Sequence, residues 1–115
     1  VEAMVRDFGA DPANIRAAIG PNVGQCHFET DADVPEAMIA AYGETVKAFI
    51  RQVGPKYYVD LKEVNALALR RAGVEHIEIS GDCTMCSPDR FWSHRITGNY
   101  RGSQGAIIVC KEETK

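Results

Sequence analysis

The sequence predicts a mixed α/β fold, in which strands and helices alternate and helices cover a mixed sheet. Apolar residues recur at helical spacing over residues 60–72, whereas residues 15–19 and 105–110 form short apolar runs that are typical of buried strands. The 115 residues are 45% hydrophobic and 25% charged, which is the composition of a folded globular chain rather than a disordered one.

The start of the chain predicts a helix and then a strand. Four apolar residues fall at i, i+3, i+4 and i+7, and Gly9 stops the pattern. This stripe consists of Val1, Met4, Val5 and Phe8. Because no capping residue precedes it, we interpret the stripe as the second half of a helix and expect an incomplete domain. Residues 15–19 predict a buried strand, and the glycine-rich segment 20–24 then breaks regular structure.

The middle of the chain predicts two helices and a β-prone stretch. Asp33 is a suitable N-cap for the first of these helices. Residues 45–52 predict a shorter second helix, which ends before Gly54 and Pro55. Residues 57–59, Tyr-Tyr-Val, favour a strand.

The clearest helix follows Asp60, which stands three residues before Glu63 in the spacing of a capping box. Gly73 is the expected C-terminal stop of this helix. The predicted buried stripe is Leu61, Val64, Leu67 and Ala68.

Two strands complete the prediction. Residues 75–80 alternate and predict a half-buried strand, and residues 105–110 predict a last, fully buried strand. We expect the strands at 15–19 and 105–110 to share one sheet, with the helix at 60–72 packed on it. The polar tail 111–115 is expected to fray.

Charge and composition exclude several classes of function. The formal net charge is −3, which does not suit nucleic-acid binding because that function needs a basic face. No apolar run approaches the ~20 residues that span a bilayer, so we expect no membrane association. Four cysteines are too few for a disulfide-dense secreted scaffold, so we expect reduced thiols and a cytoplasmic protein.

Cys83 and Cys86 form a C-x-x-C pair, a spacing that can hold zinc or exchange thiols. No helical pattern follows the pair, as a thioredoxin-like motif would require. A structural zinc needs four ligands, and in the sequence only His94 lies close behind the pair. Two buried structural cysteines are the simpler interpretation.

Two further segments carry candidate chemistry. Residues 90–101 contain three arginines and one tryptophan in an otherwise acidic chain, which favours either an anion site or a solvated loop. Residues 20–29 place glycines just after a strand, where backbone can approach a ligand. Cys26 and His27 are adjacent there, and we expect a buried cysteine in a tight turn because adjacent side chains rarely face one another.

Three blocks of the sequence together resemble one known family, the polyphenol oxidoreductase or laccase-like domain proteins. IGPNVGQCHFE resembles the family's IGPxIGxxxFE block, and the segment from YVDLKEVNALAL to GDCT resembles its segment that ends in Cys-Thr. PDRFWSHR followed by RGSQGAIIV resembles its FFSYRR…TGRxASLI block. The blocks occur in family order over essentially all 115 residues, which therefore correspond to the C-terminal part of a single family domain.

The resemblance implies a function for the intact protein. The family is also described as zinc-dependent purine nucleoside phosphorylase and adenosine deaminase, so the implied partners are a purine nucleoside and phosphate. The family's metal, zinc or copper, is held by two histidines and one cysteine in QVHG, TADC and HAGWRG motifs, none of which occurs in this sequence. The resemblance therefore implies no metal ligand here, no metal bound by this segment alone, and a requirement for the N-terminal part of the domain. It leaves the catalytic residues unassigned.

The residues that this segment would contribute are substrate contacts. Phe28 belongs to the first block, and Phe91, Ser93 and Arg95 belong to the third. A guanidinium holds phosphate with two parallel hydrogen bonds, and an aromatic ring stacks on a purine. The alternative is a non-enzymatic α/β segment, stabilised by a metal at Cys83 and Cys86 or by its core alone.

Overall fold

The computed structural model describes residues 1–111 and confirms the mixed class of helices and strands. Its helices are α1 (Glu2–Phe8), α2 (Asp33–Tyr42), α3 (Leu61–Arg71) and α4 (His94–Thr97), with 3₁₀ turns at Pro12–Asn14, Glu44–Phe49 and Gly98–Tyr100. Its strands are β1 (Arg16–Ile19), β2 (Glu29–Thr30), β3 (Ile50–Val53), β4 (Lys56–Val59) and β5 (His76–Ile79). Within the described residues, no helix is long and apolar enough to cross a membrane.

The strands form two small sheets. β1 and β5 pair in parallel, with Ile19 opposite Ile79, and α3 lies on the connection between them and contacts both strands. β2, β4 and β3 form an antiparallel sheet with β4 in the centre. Parallel neighbours need a long crossover, and here that crossover contains the whole antiparallel sheet.

Helix α3 has the ends that its sequence predicts. The carboxylate of Asp60 accepts a hydrogen bond from the backbone N–H of Glu63 at 3.3 Å, which satisfies one free donor of the first turn. Gly73 follows the helix with φ at 95°, and its N–H donates to the carbonyl of Arg70. The N–H of Val74 donates to Leu69, which completes a Schellman motif and points the chain into β5.

The predicted stripe of α3 is only partly buried. Val64 lies in the core, whereas Leu61, Leu67 and Ala68 are half-buried. Ala68 is half-buried because it lines an open apolar concavity between α3, β1 and α1. The fully buried core side chains come from α3, β4 and the segments beside them; they are Val46, Val59, Val64, Ala66 and Val74.

The helix predicted over residues 45–52 is wrong in its second half. Glu44–Phe49 forms a 3₁₀ turn, so the first half of the segment is helical. Residues 50–53 form the strand β3 instead of continuing the helix. β3 and β4 form a hairpin whose turn contains Gly54 with φ at 59°. Hydrogen bonds to β4 satisfy the backbone N–H and C=O groups of β3, and this pairing outweighs the weak helical pattern of the segment.

The expected strand at 105–110 is also wrong within the described residues. This segment has no ladder partner there, and Ile107, Ile108 and Val109 are 98%, 77% and 76% exposed. Ile108 lies beside β1 and β5, so the apolar run reaches the parallel pair without hydrogen-bonding to it. β1 itself alternates between exposed and half-buried residues, because α3 covers only one of its faces. Residues 112–115 of the predicted fraying tail lie outside the described residues.

Gly73→Ala is expected to lower the free energy of unfolding of the intact protein by at least ~2 kcal/mol. A left-handed backbone costs an alanine ~1–2 kcal/mol, and the added Cβ would lie 2.9 Å from Cγ of Pro12. Urea denaturation measures the change. Gly81→Ala is the matched control, because Gly81 has open space and no positive φ. Equal stability of the two variants would contradict the prediction.

Candidate functional site

Two loops leave the sheet together at the carboxyl ends of β1 and β5. The glycine loop (residues 20–28) follows β1, and the CxxC loop (residues 80–90) follows β5. Asn22 and Cys83 form an isolated parallel bridge, and the N–H of Thr84 donates to the carbonyl of Asn22 at 3.0 Å. The strand pairing therefore continues into the loops and fixes their register.

Gly24 allows the two loops to approach each other closely. Its N–H donates to Sγ of Cys83 at 3.1 Å. A Cβ at Gly24 would lie 3.2 Å from Cβ of Cys83 and 3.3 Å from Sγ of Cys26, which is tighter than ordinary contact. Its carbonyl accepts from the N–H groups of His27 and Phe28, which closes the turn.

The turn brings three thiols and one imidazole together, and we name them the cysteine–histidine cluster: Cys26, His27, Cys83 and Cys86. Nδ1 of His27 lies 3.2 Å from Sγ of Cys26, 3.3 Å from Sγ of Cys86 and 3.7 Å from Sγ of Cys83. The Sγ atoms of Cys26 and Cys86 are 3.4 Å apart. The four atoms all lie within 4.8 Å of one another, and no disulfide joins the described cysteines.

The cluster shifts two thiol pKa values in opposite directions. Burial opposes ionisation of Cys83, but the N–H groups of Gly24, Cys86 and Met85 and the thiol of Cys26 outweigh it and lower the pKa of Cys83 to about 6. Burial of its sulfur, followed by the hydrogen bonds to Cys86 and Cys83, raises the pKa of Cys26 to about 12, although the residue as a whole is exposed. The hydrogen bonds therefore favour ionisation of Cys83, whereas burial and the neighbouring thiols oppose ionisation of Cys26.

A cleft of roughly 410 Å³ adjoins the cluster, lined by Cys26, His27, Glu29, Tyr58, Met85 and Arg95. The guanidinium of Arg95 lies 4.8 Å from the ring centre of Phe28, and its Nη1 donates to the carbonyl of Glu29 at 2.7 Å. The hydroxyl of Tyr58 donates to Oε2 of Glu29 at 2.9 Å. The cleft thus presents one cation, one carboxylate and one phenol side by side.

The structure brings two of the four predicted substrate contacts together and places the other two elsewhere. Phe28 and Arg95 lie together at the cleft. Phe91 lies outside its lining and packs against the guanidinium of Arg90, 5.0 Å from the ring centre. Ser93 directly precedes α4 as its N-cap residue, and its carbonyl accepts from the N–H of Thr97 in the helix that carries Arg95.

The convergence of the cluster is not predicted by the sequence. The expectation that Cys26 and His27 would not face each other is wrong, since the imidazole bends back onto the neighbouring thiol. Cys26 and Cys86 are exposed rather than buried, and His94 lies outside the cluster. A usable signal was present: each pair follows a predicted strand, and the carboxyl ends of adjacent parallel strands meet at one edge. No sequence pattern predicts that the cleft is lined by Glu29, Tyr58 and Met85.

The chain resembles known proteins over nearly its whole length. Residues 1–111 match the family described as multi-copper polyphenol oxidoreductase laccase. Purine nucleoside phosphorylase YlmD of Geobacillus stearothermophilus is 36% identical over 105 residues, which cover 89% of this chain and 38% of that protein. Purine nucleoside phosphorylase YlmD of Bacillus subtilis is 34% identical over 114 residues, which cover 97% of this chain and 41% of that protein.

A solved structure shares the fold. The crystal structure of the Bacillus licheniformis hypothetical protein YfiH matches with a TM-score of 0.80 at 34% identity, over 84% of this chain and 38% of that one. The chain therefore spans about two fifths of the length of these relatives.

Glu29→Gln is expected to lower the pKa of Tyr58. The hydrogen bond to Glu29 raises that pKa above the ordinary value, and burial adds to the shift. This contact therefore stabilises the fold below pH ~10 and is lost as the pH rises through the raised pKa of the folded protein. Absorbance titration of tyrosinate measures the pKa, and Tyr58→Phe identifies the component that belongs to Tyr58. The control is Glu36→Gln on the exposed side of α2; an equal shift in the control would contradict the prediction.

Proposed function

The chain belongs to the multi-copper polyphenol oxidoreductase laccase family, and on that premise we propose that the intact protein is a purine nucleoside phosphorylase. The observation that carries the proposal is the match of residues 1–111 to this family, together with relatives at 34–36% identity that bear this name. In this proposal the described residues form one wall of the substrate cleft, and the rest of the domain supplies the remainder.

Phosphorolysis sets requirements that the cleft can meet in part. A phosphate oxygen forms a bond to C1′ of the ribose while the bond from C1′ to the purine nitrogen breaks and its electron pair leaves with the base. The enzyme must hold a phosphate dianion beside the sugar, orient the ribose and exclude water. A guanidinium, a carboxylate and a phenol in one cleft suit the first two tasks.

Arg95 is the proposed phosphate contact. Its Nη1 donates to the carbonyl of Glu29 and its guanidinium carbon lies 4.8 Å from the ring centre of Phe28, so the side chain is held in place while its other N–H groups remain available. Glu29 and Tyr58 are proposed to bind the ribose hydroxyls, since a carboxylate accepts from a diol and the phenol orients that carboxylate.

The other two predicted contacts, Phe91 and Ser93, also have roles in this proposal. Phe91 remains a candidate for stacking on the purine, and Ser93 acts through α4 by positioning Arg95.

The resemblance also implies a second activity, adenosine deamination, for which the same cleft would bind the nucleoside. We also propose a cytoplasmic location, since a reducing compartment keeps neighbouring thiols such as those of Cys26 and Cys86 from forming a disulfide.

The catalytic metal of the family, zinc or copper, is assigned to the part of the domain that carries its two-histidine, one-cysteine motifs. When bound there, it would supply electrophilic activation. The cysteine–histidine cluster does not fit that centre, because four protein donors on one ion leave no open position for substrate. We therefore derive no step of the reaction from a metal at these residues.

Arg95→Lys in the intact protein is expected to raise the KM for phosphate about tenfold, which corresponds to ~1.4 kcal/mol. The variant keeps the charge but loses the planar fork and the stack on Phe28. The melting temperature should change little, since Arg95 is exposed. Steady-state kinetics with inosine and varied phosphate measure the effect, and Arg101→Lys is the control. A large drop in melting temperature with unchanged kinetics would leave Arg95 a structural role only.

Residues 1–115 expressed alone are expected to show no phosphorolysis of inosine or adenosine, whereas the intact protein turns over. The physical reason is that the family's metal-ligand motifs lie outside these residues. Release of the free purine base measures turnover, and circular dichroism of the same sample checks that it is folded. Metal-dependent turnover by residues 1–115 would refute the proposed division of the site.

A further inference from the structure

We propose that the cysteine–histidine cluster, Cys26, His27, Cys83 and Cys86, binds one zinc ion in a closed tetrahedral site. This site is structural and separate from the family's catalytic metal. It cross-links the glycine loop to the CxxC loop beside the cleft.

Four of the six distances between donor atoms of the cluster are close to the edges of a zinc tetrahedron, and the other two are at most 4.8 Å. Zn–S bonds of ~2.3 Å and Zn–N bonds of ~2.0–2.1 Å place two sulfurs ~3.8 Å apart and a sulfur and a nitrogen ~3.6 Å apart. The three contacts of Nδ1 of His27 with the thiols are 3.2, 3.3 and 3.7 Å, and the Sγ atoms of Cys26 and Cys86 are 3.4 Å apart. Movements of a few tenths of an ångström bring these edges to the ideal lengths.

The donor set selects the metal. Three sulfurs and one imidazole nitrogen form a soft, four-coordinate set, which is typical of structural zinc and unsuited to magnesium or calcium, whose ligands are oxygens. All four positions are filled by protein donors, so the ion would hold no substrate. A disulfide between Cys26 and Cys86 would use two donors only and would leave the thiol of Cys83 and the imidazole of His27 without a role.

The surroundings of the cluster support metal binding. The N–H of Gly24 donates to Sγ of Cys83, an outer hydrogen bond of the kind that orients and stabilises a ligating thiolate. Nζ of Lys62 donates to the carbonyl of Asp82, which holds the backbone next to that thiol. The Asn22–Cys83 bridge continues the pairing of the parallel strands, so backbone hydrogen bonding as well as loop conformation holds the ligands in position.

The site lies where it would shape the cleft. Cys26 and His27 line the cleft, and Phe28 and Glu29 follow them directly in the chain. A zinc ion at the cluster would therefore fix the wall on which Arg95 rests. Loss of the ion is expected to destabilise the protein and to loosen this wall.

Metal analysis of the intact protein, purified under reducing conditions, tests the proposal. The wild-type protein is expected to contain one zinc per chain more than Cys86→Ser or His27→Ala. Cys110→Ser is the matched control, since Cys110 is an exposed cysteine outside the cluster; its zinc content should equal that of the wild type. The difference between variants is independent of any metal bound elsewhere and of activity. If the cluster binds no zinc, the proposed phosphorylase activity is unaffected. If the protein has no phosphorylase activity, the zinc measurement still tests the cluster.

Two further measurements keep the test decisive if Cys86→Ser does not fold. Cys86→His offers a replacement ligand and is expected to retain the zinc. Cobalt exchanged into the wild type and into Cys110→Ser should give a stronger thiolate-to-cobalt charge-transfer band than cobalt in Cys86→His, which lacks one of the three thiolates of the cluster. Equal zinc in Cys86→Ser and wild type, copper in place of zinc, or a Cys26–Cys86 disulfide in the reduced preparation would each overturn the proposal.

Discussion

The parallel pairing of β1 with β5 is the constraint on which the candidate site depends. Four residues of each strand are in register, and the N–H of Ser80 donates to the carbonyl of Ile19 at 2.9 Å where the ladder ends. Since both strands run in the same direction, both following loops start at one edge. The isolated bridge between Asn22 and Cys83 carries this register into the loops. A slip of one residue would turn the ligands to opposite faces and separate them.

The antiparallel sheet supplies the other side of the cleft. Glu29 on β2 lies opposite Tyr58 on β4, which is why the carboxylate and the phenol meet. The side-chain amide of Gln25 donates to the carbonyls of Phe49, just before β3, and of Tyr58 on β4, so the glycine loop is tied to this sheet as well as to the CxxC loop. The cleft is therefore a product of both sheets, and neither sheet alone contains its residues.

Local signals were sufficient for some elements and insufficient for others. The capping carboxylate of Asp60 and the stop at Gly73 identified α3, because both act within a few residues of the chain. The alternation around Ile77 identified β5 in the same way. The helix predicted over residues 45–52 is wrong in its second half, and the strand predicted over residues 105–110 is wrong within the described residues. A strand forms only where a partner edge is available, and that depends on segments far away in the sequence.

The sequence by itself determined the class of fold, the family and the residue types available for chemistry. It also determined α3, β1 and β5, since helix caps and hydrophobic periodicity are short-range properties. The tertiary structure alone decided that Cys26 and His27 meet Cys83 and Cys86 across nearly sixty residues, and that Arg95 rests on Phe28. These contacts arise from a strand crossover and from side-chain direction, and spacing along the chain encodes neither of them.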